Sequence, residues 1–198
     1  MSNRRWLALI SLALLLGLVA CASGTVEPTA TPVPTSMPSP TESPDDDGTP
    51  PVTDADGEYM RWLAGVHGKL EDTSRGLIER WQASEEAGAD KVSSDTIREM
   101  ASLAKTLQDY VDEVEAREDV PVGVAGIHVA LLNEAHSWEA AAPLLVEGIT
   151  ALRDGDQAGF QEKAEEADRE IQAAVEAREA LLEAANELLQ SLSEAGGD

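Results

Sequence analysis

A chain of 198 residues with 38 acidic against 14 basic side chains carries a formal charge of −24 at pH 7. That balance excludes nucleic-acid binding, which needs lysine and arginine to displace phosphate counterions, and it argues against an electrostatic hold on anionic lipid. A single cysteine rules out an intramolecular disulfide, and the length suits one ordinary domain with appendages.

The first predicted element is a leader over residues 1–20. Arg4 and Arg5 precede an uncharged apolar run from Trp6 to Ala20, which ends in Leu18-Val19-Ala20 just before Cys21. A positive n-region, an apolar h-region and a small-residue cleavage site follow one another in the order of an export signal. The run is shorter than the 20 or so apolar residues of an ordinary transmembrane helix. Leu18-Val19-Ala20-Cys21 matches the lipobox, and the leader resembles bacterial lipoprotein signal peptides. The resemblance covers the leader alone. It implies that the Cys21 thiol receives a diacylglyceryl group, that the peptide is cut before Cys21, and that the new amino terminus is often acylated too. Two or three acyl chains, at about 0.8 kcal/mol per buried methylene, hold a protein stably where one chain does not. Membrane attachment is therefore expected through a lipid anchor at Cys21, on the extracytoplasmic side of the cell membrane. Loss of Arg4 and Arg5 with the leader takes the net charge from −24 to −26.

Residues 21–57 form the second predicted segment, a lipidated cysteine followed by a disordered tether. The stretch TVEPTATPVPTSMPSPTESPDDDG is crowded with proline, threonine and serine. Proline fixes φ and lacks an N–H donor, so neither helix nor sheet is favoured and polyproline II character is expected. At about 3.1 Å per residue such a spacer reaches roughly 110 Å when fully extended. Asp54-Ala55-Asp56-Gly57 carries part of a calcium-loop spacing, but Val52 stands in the place of the first ligand and Leu63 in that of the closing glutamate, so the pattern fails.

Residues 58–198 read as the folded domain. Apolar residues recur there at intervals of three and four, the helical signature. The first helix is predicted over 58–87, with Tyr59, Leu63, Val66, Leu70, Leu77 and Trp81 on one stripe and Gly88 as its stop. Ser93 opens the second as an N-cap, with Val92 and Ile97 spaced for a hydrophobic staple. Its stripe continues through Met100, Ala104, Leu107, Val111 and Val114. Pro121 is predicted to open the third, which carries Val124, His128, Leu131, Ala135, Trp138, Ala142, Leu145, Ile149 and Leu152. Because that stripe stays in phase across Pro143, a kink is expected there and not a break. Asp154-Gly155-Asp156 makes the next turn, and Asp156 caps a fourth helix bearing Phe160, Ala164, Ala167, Ile171, Ala174, Leu181, Ala185, Leu188 and Leu192. Short connections between long helices make neighbours antiparallel. The expected fold is all-α: an antiparallel up-down-up-down four-helix bundle after the disordered Pro/Thr/Ser-rich linker.

Chemistry is sought first at the histidines, His67, His128 and His136. Glu-x-x-His pairs, the mark of di-metal bundles, are absent from the sequence. Gly126-Ile127-His128 resembles the opening of the Gly-x-His-x-x-Glu motif of imelysin-like envelope proteins, with Leu131 in place of the glutamate. One alternative reading is a metal site from His128, His136 and Glu139. Another is a ligand pocket where a kink at Pro143 opens beside Trp138. Gly-x-Ser-x-Gly and Cys-x-x-Cys-His are both absent, and carboxylates are too numerous for any pair to stand out as acid and base. Arg178, near the fourth stripe, is expected to bridge to a glutamate on a neighbouring helix or to run its stem out to solvent. The leading expectation is a non-enzymatic protein without a cofactor, placed in the cell envelope to bind an envelope protein or to serve a structural role.

Overall fold

The computed structural model describes residues 54–195, with side chains for 55–191. Among the described residues there are four α-helices and no strand: α1 (Asp54–Ala87), α2 (Ser94–Glu115), α3 (Ala125–Arg153) and α4 (Gln157–Ala195), with 3-10 turns at Ala89–Lys91 and Val122–Val124. The leader, Cys21 and nearly all of the predicted tether lie outside the described residues. None of the described helices is long and apolar enough to cross a membrane.

Local chemistry places the helix ends. α1 begins at Asp54, four residues before the predicted start at 58, so the acidic Asp54-Ala55-Asp56-Gly57 stretch is helical. Carboxylates in a first turn are favoured by the helix dipole. α1 stops where Gly88 takes a φ of 83°, a value open to glycine at little cost. Ser93 caps α2 through its Oγ, which accepts the Thr96 N–H at 3.0 Å. Val92 and Ile97 on either side of that cap both join the core. Pro121 does not open α3 directly: its carbonyl accepts the Val124 N–H at 3.1 Å, closing a 3-10 turn, and the α-helix starts at Ala125. α3 then runs unbroken through Pro143.

The turn between α3 and α4 is a Schellman motif. Gly155, with φ 77°, donates to Leu152 O at 3.1 Å, and Asp156 donates to Ala151 O at 2.9 Å. Asp156 then starts α4, its Oδ1 accepting the Gly159 N–H at 2.9 Å.

The core follows the predicted stripes. All six α1 stripe residues are buried, as are Met100, Leu107, Val111 and Val114 of α2 and Phe160, Ala167, Ile171, Ala174 and Leu181 of α4. Burying an aliphatic or aromatic side chain of this size contributes about 1.5–3 kcal/mol. α3 buries more than its predicted stripe, adding Ile127, Ala130, Ala141 and Gly148. It packs against each of the other three helices, which is why more of its circumference is covered. Trp81 is wedged beside it. A Cβ on Gly148 would stand 2.6 Å from the Trp81 ring, whose indole also stacks on Phe160 at 5.2 Å between centroids.

Candidate functional site

The polar side chains of the interior collect along α1 and the first half of α3. Tyr59, 1 % exposed, makes a hydrogen bond with His128 Nδ1. Desolvation pushes the Tyr59 phenol up to about 12, a charge contact with Arg117 pulling the other way. Desolvation likewise lowers the His128 imidazole. Both groups are therefore neutral near pH 7, and the imidazole tautomer decides which of the two donates.

The chain between α2 and α3 closes over this pair. Arg117 Cζ lies 4.7 Å from the centre of the Trp62 ring and 5.6 Å from that of Tyr59, within range of a cation–π contact. Its Nε is 2.7 Å from Asp119 Oδ1, close enough for charge attraction although the angle is not that of a hydrogen bond. Tyr59 and Trp62, one turn apart, have ring centres 5.2 Å apart. Asp56 is buried beneath the 3-10 turn, its Oδ1 3.1 Å from the place a Cβ on Gly123 would occupy. A side chain at that position would press on the carboxylate.

Two turns along α1, His67 meets Glu134 of α3. Nε2 and Oε2 are 3.2 Å apart, with the glutamate side chain 2 % exposed. Neither atom has a hydrogen bond of good angle, so the contact is one of proximity between two desolvated polar groups. Glu134 is interior although it stands off the predicted apolar stripe of α3. A signal for it exists in the sequence: Ile127, Ala130, Ala141 and Leu145 make a second apolar line along α3, and Glu134 interrupts it. Further along α1, Glu71 accepts a hydrogen bond from Arg178 of α4 at 2.5 Å, the bridge to a neighbouring helix expected of that arginine.

Of the alternative metal set, His136 and Glu139 meet, but His128 stands apart from them. His136 has Glu115 at 3.3 Å from Nε2 and Glu139 at 3.2 Å from Nδ1. These carboxylates lie on opposite edges of the ring, so they do not converge with one nitrogen on a shared point. His128 is eight residues away, roughly 12 Å along the helix, with its Nδ1 engaged by Tyr59. Among the described residues no three His, Cys, Asp or Glu side chains are grouped as ligands of one ion. Trp138 packs against the core whereas Pro143 faces solvent. Five residues apart on one helix, they point in different directions and do not line one cavity. Cys21 lies outside the described residues. Among family models, curated proteins and solved structures, none matches this chain.

Proposed function

We propose that this protein is a bacterial lipoprotein: a helical bundle tethered through acylated Cys21 to the extracytoplasmic side of the cell membrane, with a non-enzymatic binding or structural role in the cell envelope. The leader supports the anchor, since charge, apolar run and Leu18-Val19-Ala20-Cys21 stand in the order that export and acylation require. An alternating, up-down-up-down course of the helices is supported by the order of their contacts. On α1 and α2, Arg80 pairs with Glu99 and Lys69 with Glu113, so the numbering runs in opposite senses. The same holds for Trp81 with Phe160 and Glu71 with Arg178 on α1 and α4. α1 and α3 run in the same sense, through Tyr59 with His128 and His67 with Glu134.

The observation that carries the non-enzymatic reading is how the interior polar groups are used. Tyr59 with His128, His67 with Glu134 and Glu71 with Arg178 each join two helices. The Tyr59 hydroxyl is set against an imidazole, but it is buried and keeps its proton up to about pH 12. A nucleophile works near its operating pH and within reach of substrate, and the Tyr59 hydroxyl has neither property, while Nδ1 of His128 is taken up by that hydroxyl. These contacts are those of a scaffold.

The anchor is tested by fractionating cells that express the natural chain or Cys21→Ser. The natural chain is expected in the membrane pellet, with a thioether-linked diacylglyceryl group at the amino-terminal cysteine found by mass spectrometry. Cys21→Ser is expected in the soluble fraction. Membrane association that survives the substitution refutes the anchor.

A further inference from the structure

Three polar contacts link helices inside the bundle, and one of them is unfinished. Tyr59 with His128 and Glu71 with Arg178 are hydrogen bonds. His67 Nε2 and Glu134 Oε2 stand 3.2 Å apart, yet neither atom has a hydrogen bond among the described residues. The glutamate side chain is 2 % exposed, so water does not solvate it as it would on an outer helix face. Leu63, Leu70 and Leu131, each within about a turn of the pair on its own helix, are buried as well. Leaving a buried polar atom unmet is costly, and where a native fold does so the usual reasons are strain, a catalytic task, or a bound water or ion.

Distance decides between water and an ion. A water about 2.8 Å from both atoms would see them at an angle of about 70°, too acute for two good hydrogen bonds. An ion about 2.1 Å from each sees them at roughly 100°, close to the angle between neighbouring ligands of tetrahedral zinc. The donor types agree, because imidazole nitrogen with carboxylate oxygen suits zinc and its neighbours, whereas magnesium and calcium take oxygen alone. A third ligand is one helical turn away: Glu71 follows His67 by four residues on α1, the spacing that puts side chains on one face. Its Oε1 is turned to Arg178 of α4, so two ligand atoms and not three stand together among the described residues. The Arg178 side chain is partly exposed, and its head reaches water when the carboxylate leaves it. The His67 side chain is 17 % exposed, which gives a metal a way in.

We infer that His67 and Glu134, joined by Glu71 when it leaves Arg178, bind a divalent transition-metal ion such as zinc, with water in the remaining position. The ion meets both unsatisfied atoms at once, offsets the charge of the two carboxylates, and ties α1 to α3. His128, His136 and Glu139 take no part in it. The inference rests on the binding role proposed above and gives that role a class of ligand, through residues remote in sequence from Cys21.

The test uses the full chain carrying Cys21→Ser, so that no thiol competes for metal. After treatment with a chelator it is titrated with zinc chloride in an excess of magnesium, which fills loose sites on the acidic surface. One zinc per chain is expected, and cobalt(II) in its place is expected to show the visible absorption of a four-coordinate ion. Glu134→Gln, which keeps the shape and removes the charge, and His67→Ala are each expected to weaken zinc binding about tenfold or more. Arg178→Gln frees Glu71 and is expected to tighten binding severalfold, which a purely structural Glu71–Arg178 bridge would not do. His136→Ala removes an exposed imidazole set between two carboxylates and is expected to change nothing. Circular dichroism checks that each variant is folded, and the zinc stoichiometry and cobalt spectrum of the parent chain need no variant at all. Absence of stoichiometric zinc binding overturns the inference, as does equal affinity in folded Glu134→Gln and its parent, or loss of zinc with His136→Ala. Release of Cys21→Ser from membranes is read without added metal, so the anchor and the metal site stand or fall independently.

Discussion

At the scale of single residues, the Tyr59–His128 pair is a neutral hydrogen bond held inside a very acidic protein. Tyr59→Phe removes the hydroxyl and leaves Nδ1 of a half-buried imidazole without its partner. The expected loss is about 1 kcal/mol in urea unfolding, with an unchanged slope. The pair also shapes the dependence of stability on pH. Burial lowers the His128 imidazole, so as pH falls below its ordinary value near 6.5 the unfolded chain takes up a proton before the folded one, and stability declines. Tyr59 acts at the other end: its ordinary value of 10.0 is raised to about 12. As pH rises from 10 towards 12 the unfolded chain loses a proton that the folded one keeps, and stability declines again. Melting temperature should show both falls, and Tyr59→Phe should lose this contribution to the alkaline one. His67 and Glu134 make a separate case. His67→Ala leaves a carboxylate that is 2 % exposed without its neighbour, at an expected cost of about 1–3 kcal/mol. The double variant with Glu134→Leu should recover part of that loss, since the remaining group is then apolar. A simple sum of the two single effects would show that the residues are not coupled.

At the scale of helices, the period of the apolar residues carried most of the information. The α1 and α4 stripes, the Ser93 cap and the Asp154-Gly155-Asp156 turn are all local devices, and local devices are written in contiguous sequence. What periodicity does not carry is the identity of the neighbour. Glu134 is interior because His67 of another helix lies opposite it, and Gly148 is glycine because Trp81 of another helix crosses there. The site candidates are less legible for the same reason: His128, His136 and Glu139 are close in sequence, and His136 meets Glu139, but the helix turns His128 towards Tyr59. Pro121 suits the first turn of a helix, yet the Val122–Val124 3-10 turn stands between it and α3. Gly148→Ala tests the crossing. With the Trp81 ring 2.6 Å from the new methyl and already stacked on Phe160, the indole must shift, at an expected cost of about 1–3 kcal/mol. Trp81→Leu in the same chain should relieve much of that penalty, although it loses stability by itself. If Gly148→Ala instead stabilised the protein, as alanine does in an open helix position, the packing around Trp81 would be looser than the contact distance implies.

At the scale of the whole molecule, charge is the dominant feature, and it bears on folding as well as on partners. Exposed pairs within one helix, such as Arg98 with Asp95 at 2.6 Å and Lys105 with Asp109 at 2.8 Å, are solvated and screened and contribute little. Against them stands an excess of 24 negative charges over the chain. The longest helix, α4, has 39 residues and extends roughly 58 Å. At about 10 mM salt, charges repel over roughly 30 Å, a large part of that length; at about 150 mM they repel over roughly 8 Å, little more than their nearest neighbours. Folding concentrates the carboxylates, so the folded state suffers more from unscreened repulsion than the unfolded one. Raising the salt concentration across this range is therefore expected to raise the melting temperature by a few degrees. Sodium chloride and potassium chloride should act alike, since the mechanism is screening and not the binding of one ion. A fall in melting temperature over the same range would mean that attraction within the ion pairs outweighs the net repulsion. The bridges between helices, Glu71–Arg178 and Glu99–Arg80, would then be the first contacts to remove by substitution, because each spans two helices and can report a change in packing that pairs within one helix cannot.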